Sequence, residues 1–173
     1  MYGARSWILD LDLGSMKKIA RTKVLFVCLG NACRSPMAEA IALRDAADVI
    51  EASSAGLTPL GRVEPMTKQT LENNAYRSGG LDSKAVEPSA LDAADIVINM
   101  SGHPREAAFE EPSKVEDWYV EDPYGAHAEL YQRIFEDIKR RVSELARRLR
   151  NGDGSGVKPG NIKQKDGSGQ RRR

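Results

Sequence analysis

The chain has 173 residues, 40% of them hydrophobic, and a formal net charge of +1. That length allows one domain with a proper core. No apolar run is long enough for a transmembrane helix, and the small charge gives no general pull toward nucleic acid or membrane. Two cysteines do not make a disulfide framework, and without a Cys-x2-Cys pair, with His103 and His127 far along the chain, a zinc site is not expected.

Residues 1–22 form an N-terminal extension. Its apolar piece, Trp7–Leu9, is too short for a secretory core and runs into Asp10 and Asp12. Met16 stands close before the first strand, so Met1 and Met16 are both open as natural starts, and a docking arm is a further reading of the segment. Val24 to Val27 is a short buried strand. Cys28 ends it, and Leu29, Gly30, Asn31, Ala32 and Cys33 lead to Arg34, Ser35 and Pro36, where a helix is expected over 36–47.

A strand, a loop of small residues and a helix start make an anion cup. Loop N–H groups and the first unpaired N–H groups of the helix converge, and the helix dipole adds positive potential. Gly30 and Asn31 tolerate the left-handed backbone angles such a cup needs. Cys28 lies at the floor, where donors and the Arg34 cation favour a thiolate. The Arg34 fork can hold two oxygens of a tetrahedral oxyanion. The chemistry implied is attack of sulfur on phosphorus, giving a phosphocysteine. Roughly one chain in five of this composition carries a Cys-x5-Arg pair by chance, so the strand before and the Ser-Pro start after it carry the weight.

A second strand is expected over 49–53, ending in Ser53-Ser54-Ala55-Gly56, and a second helix over 65–76, broken by Gly79-Gly80. Residues 95–100 form a third strand, followed by a short helix near Ser101 and Pro104, with His103 on the surface. Residues 115–120 form a fourth strand, and Asp122-Pro123 then turns the chain. An acid at the end of a parallel strand faces the same rim as the cysteine loop. His127 to Arg150 is the clearest helix, with Leu130, Ile134, Ile138, Val142, Leu145 and Leu149 in one stripe. Four strands alternating with helices imply an α/β fold: a small four-stranded parallel sheet with helices on both faces. Residues 151–173 hold six basic and two acidic residues and almost no apolar ones, leaving residues 1–150 at −3. A disordered tail is expected there, an electrostatic arm for an acidic partner being the alternative.

The segment CLGNACRSPMAEA closely resembles the active-site signature of the low-molecular-weight protein tyrosine phosphatases, over about residues 23–150. That family shares its fold with thioredoxin-coupled arsenate reductases. The resemblance implies Cys28 as nucleophile, Arg34 as phosphate clamp, residues 29–35 as the phosphate loop, and Asn31 and Ser35 as residues that hold the loop and stabilise the thiolate. It implies a hydrogen bond between Ser54 and Asn31. Asp122 lies 94 residues after Cys28 and matches the family's catalytic acid in its Asp-Pro motif, with Tyr124 lining the mouth. A family His that supports the loop Asn has no match here. The activity implied is hydrolysis of phosphotyrosine in a protein substrate, without metal or organic cofactor, in a reducing cytoplasm. Phosphoarginine stays open, because Ala32 matches neither the Ile common in the tyrosine enzymes nor the Thr of the arginine enzymes. Thiol-dependent arsenate reduction is disfavoured, because residues 75–101 hold none of the further cysteines it uses. An inactive oxyanion or phosphopeptide-binding module is the third reading. The spacing of Cys28 and Cys33 in one tight loop further predicts a reversible disulfide that switches activity off and answers to a thiol reductant; a buried, inert Cys33 is the alternative.

Overall fold

The computed structural model describes residues 20–152. Strands β1 (Thr22–Cys28), β2 (Ile50–Gly56), β3 (Ile96–Asn99) and β4 (Val115–Asp117) form a parallel sheet in the order β2-β1-β3-β4. Helices α1 (Arg34–Asp45), α2 (Pro65–Asn73), α3 (Pro88–Ala93), α4 (Arg105–Ala108) and α5 (Ala128–Arg150) connect and cover them. This is the α/β architecture expected. The expectations for residues 1–19 and 153–173 lie outside the described residues.

Central β1 shows why its sequence is continuously apolar. Successive side chains point to opposite faces. Val24, Phe26 and Cys28 join Met37 and Ile41 of α1 and Ile134 and Ile138 of α5 in one core. Leu25 and Val27 join Val97, Phe109 and Val115 in a second core, against Leu91 of α3 and Ala108 of α4. Both faces are covered, so no polar alternation survives.

Several boundaries differ from expectation. Helix α1 begins at Arg34, two residues before Pro36, which stays within the first turn where a missing N–H leaves no bond unmade. Strand β2 continues through Ser54 to Gly56, which pairs with Cys28. Strand β4 stops at Asp117, and the chain then turns toward the rim. Helix α3 was not anticipated, being too short at six residues to show a period. On α5 the buried face runs through Tyr131, Ile134, Phe135, Ile138, Val142, Leu145 and Ala146, while Leu130 and Leu149 are only partly buried. The face is wide enough to turn the stripe toward its aromatics.

Helix α2 ends where Ala75 adopts φ +61°, a left-handed conformation that an L side chain pays for in strain. Its methyl is exposed. Replacing Ala75 by glycine should therefore stabilise the protein by about 0.5–1 kcal/mol, read from the urea midpoint at unchanged slope.

Candidate active site

The backbone of residues 28–35 is held from outside. The carbonyls of Cys28, Leu29, Gly30 and Ala32 accept hydrogen bonds from the N–H groups of Leu57 (3.1 Å), Thr58 (2.8 Å), Leu60 (3.0 Å) and Glu64 (3.0 Å). Thr67 Oγ1 donates to the Ala32 carbonyl at 3.0 Å and Ser83 Oγ to that of Gly30 at 3.0 Å. These carbonyls are taken up by the surrounding segments, and among the described residues the N–H groups of Leu29 to Ser35 donate to no protein acceptor. Helix α1 carries no acid in its first turn, so its N-terminal field is left open to an anion.

Asn31 has the left-handed angle, φ +46°, whereas Gly30 does not. Gly30 answers instead to crowding: a Cβ there would stand 3.0 Å from Leu60 Cγ. Gly56 is tighter, since its Cβ would meet Asn31 N at 2.8 Å and Leu29 O at 2.9 Å. These close approaches are tertiary, and the sequence signalled neither.

Cys28 is buried, with Sγ 3.0 Å from Ser35 Oγ. Asn31 Nδ2 donates to Ser35 Oγ and to Ser54 Oγ, both at 2.9 Å. No histidine supports Asn31; the backbone N–H of Lys84 donates to its Oδ1 at 2.8 Å. Arg34 is buried and lines the same pocket as the loop. Its Nη1 donates to the Val120 carbonyl at 3.3 Å, and its Nη2 to Asp122 Oδ2 at 2.5 Å. Its Nε is buried and has no protein acceptor, unlike every other buried side-chain nitrogen or oxygen among the described residues. A donor left unmade in such a place is costly, and an oxyanion in the cup would answer it.

A pocket of about 310 Å³ opens above the sulfur, lined by Cys28, the loop, Arg34, Thr58, Leu60, Asp122 and Tyr124. The structure thus gathers Cys28 from the end of β1, Arg34 from the start of α1, and Asp122 and Tyr124 from the segment after β4. Leu60, absent from the sequence reading, forms part of the wall and is half-exposed like Tyr124. His103 is exposed and lies outside this pocket. Ser54 lies in β2 rather than in a turn.

Burial pushes the Cys33 thiol up; hydrogen bonds with Tyr131 and Thr67 pull it partly back, and the charges of Asp122 and Cys28 push it up again. The Tyr131 hydroxyl, 3.5 Å from Cys33 Sγ, is itself raised by burial and by that bond. Cys33 therefore stays a neutral thiol at neutral pH. No group of three or more metal-ligating side chains occurs among the described residues, and no helix there is long and apolar enough to cross a membrane.

Comparison with known proteins adds the family. The family model "Low molecular weight phosphotyrosine protein phosphatase" matches residues 23–154. The glutaredoxin arsenate reductase of Synechocystis sp. is 34% identical, over 73% of this chain and 98% of its own. The low molecular weight protein tyrosine phosphatase from T. tengcongensis superposes with a TM-score of 0.68 at 29% identity, over 74% of this chain and 99% of its own. The YwlE arginine phosphatase from Geobacillus stearothermophilus gives a TM-score of 0.69 over 76% and 95%; at 24% identity it speaks to the fold alone.

Proposed function

Because the chain belongs to the low molecular weight phosphotyrosine protein phosphatase family, we propose that it is a protein phosphatase that cleaves phosphotyrosine through a phosphocysteine intermediate. The observation that carries this reading is the buried Arg34, whose Nε is unpaired and which lines one pocket with Cys28 and a loop whose N–H groups have no protein acceptor. The phosphoryl oxygens dock on those N–H groups and on the guanidinium. Sulfur attacks phosphorus in line with the leaving oxygen; the S–P bond forms as the P–O bond breaks, and Asp122 gives its proton to the phenolic oxygen. Water then attacks phosphorus, losing its proton to the Asp122 carboxylate as the S–P bond breaks and inorganic phosphate leaves. Arg34 and Asp122 hold each other, which sets the acid beside the guanidinium that takes the phosphoryl oxygens.

The wall supports a flat leaving group. Leu29, Leu60 and Tyr124 present exposed apolar surface around the cup, which an aromatic ring would cover and a bare arsenate ion would not. Arsenate reduction is the second reading, favoured by the Synechocystis relative. Against it, both cysteines of the chain lie in the loop, so no third thiol is present to supply electrons to arsenic and take up the oxidation as a disulfide. The test compares turnover of a phosphotyrosyl peptide, a phosphoarginyl peptide, and arsenate with glutathione and glutaredoxin. Phosphotyrosine should be the fastest, and Asp122→Ala should slow it by roughly 10²–10⁴-fold. Faster release of phosphate from the phosphoarginyl peptide would change the substrate assigned. Arsenite production outrunning both would replace the reading.

A thiol nucleophile of this kind works in a reducing cytoplasm, and we assign the enzyme there. Cys28 and Cys33 are both free, buried and lining one pocket, which supports a reversible bond between them. Peroxide should inactivate the parent, with full recovery in dithiothreitol. Cys33→Ala should recover far less, since a lone Cys28 sulfenate is open to further oxidation. Equal recovery would remove the protective role of Cys33.

A further inference from the structure

Beneath the cup runs a hydrogen-bonded chain that ends on a residue the reaction does not touch. Glu39 lies in the second turn of α1, half-buried. Its Oε2 accepts the Ser54 hydroxyl proton at 2.5 Å. Ser54 is buried in β2 and has that one proton to give. Its Oγ can therefore meet Asn31 only as an acceptor, and Asn31 Nδ2 donates to it at 2.9 Å. The amide cannot flip, because its Oδ1 takes the Lys84 N–H at 2.8 Å. The second Nδ2 proton goes to Ser35 Oγ at 2.9 Å. Ser35 is left with its own proton, and its neighbours are Cys28 Sγ at 3.0 Å and the Ala55 carbonyl at 3.3 Å.

Each step thus fixes the direction of the next. A carboxylate at the far end makes Ser54 a donor outward and a better acceptor inward. That holds the Asn31 side chain, and with it the left-handed residue at the turn of the loop. It also keeps both amide protons engaged, so that Ser35 can offer its proton to sulfur and favour the thiolate. We propose that Glu39 is a positioning residue for Cys28, acting through Ser54, Asn31 and Ser35. The proposal rests on Cys28 as the nucleophile of the phosphatase reading. It adds a carboxylate, five residues beyond Arg34, to the far end of the chain that holds Asn31.

The test reads the sulfur directly. Iodoacetamide alkylation of Cys28, followed by mass mapping of the Cys28 peptide across pH, reports the thiolate without any substrate. Glu39→Ala should move the half-maximal pH up by about half a unit to one unit. Glu39→Gln keeps an oxygen that can accept from Ser54 and should restore most of the parent profile. Ser54→Ala should shift the profile as Glu39→Ala does, and the double variant should shift no further, because the two residues act in one chain. The proposal is overturned if Glu39→Ala leaves the profile in place, if Gln and Ala behave alike, or if the two shifts add. A parent that hydrolyses no phosphoryl substrate would count against the phosphatase reading alone, and the alkylation profiles would still decide the role of Glu39.

Discussion

Arg34→Lys should lower turnover of an aryl phosphate by about 10²–10³-fold, although it keeps the positive charge. The guanidinium is used in two directions, Nη1 to the Val120 carbonyl at 3.3 Å and Nη2 to Asp122 at 2.5 Å, and its Nε is left free within the buried site for an oxyanion. A lysine ammonium is a point charge on a flexible stem and cannot reproduce a planar fork. It would leave the Val120 carbonyl without its Arg34 donor and would hold the phosphoryl oxygens at one point instead of two. The transition state spreads charge over the equatorial oxygens, so the loss should fall mainly on kcat. Steady-state kinetics with p-nitrophenyl phosphate measure it. A loss below tenfold would mean that charge alone suffices and that the fork is not the clamp.

Gly56→Ala should be nearly as damaging, although residue 56 takes no part in the chemistry. The added Cβ would stand 2.8 Å from Asn31 N, 2.9 Å from Asn31 Cβ and 2.9 Å from Leu29 O. Two of these are backbone atoms of the loop, so no rotamer can yield. Gly56 itself is pinned by pairing with Cys28 and by its N–H bond to the Lys84 carbonyl at 2.9 Å. The loop must therefore shift, and a displacement of about 1 Å at a reacting group can cost on the order of 10²-fold. Overpacking of this kind also destabilises by about 1–3 kcal/mol. Turnover and the urea midpoint should fall together in Gly56→Ala, whereas Ala55→Gly, one residue earlier, should spare turnover more than stability. Parent-like kcat in Gly56→Ala would show that the cup tolerates the crowding.

The strand-to-cup segment was legible because its signals are local. Four apolar residues, a cysteine, small loop residues and Ser-Pro follow one another directly, and Asp122-Pro123 marks its own turn. Less local features were misjudged. Gly30 tolerates a left-handed angle but does not adopt one, and its constraint comes from Leu60, thirty positions away. Tyr131 was passed over for Leu130, because the facing direction of α5 depends on what packs against it. The absent histidine left no sign that the backbone N–H of Lys84 would hold Asn31, since any residue but proline can supply that donor.

Residue type and spacing along the chain determined a parallel α/β fold, a thiol at the floor of an anion cup, and an arginine and an acid fit to serve it. Only the tertiary structure decided that Arg34 meets Asp122, that Leu60 and Tyr124 line one pocket, and that Glu39 closes the chain beneath Cys28. The physical reason is range. Backbone angles, helix starts and apolar runs are set by neighbours in sequence, whereas a hydrogen bond or a steric limit of three ångströms exists only once the sheet has brought distant segments side by side.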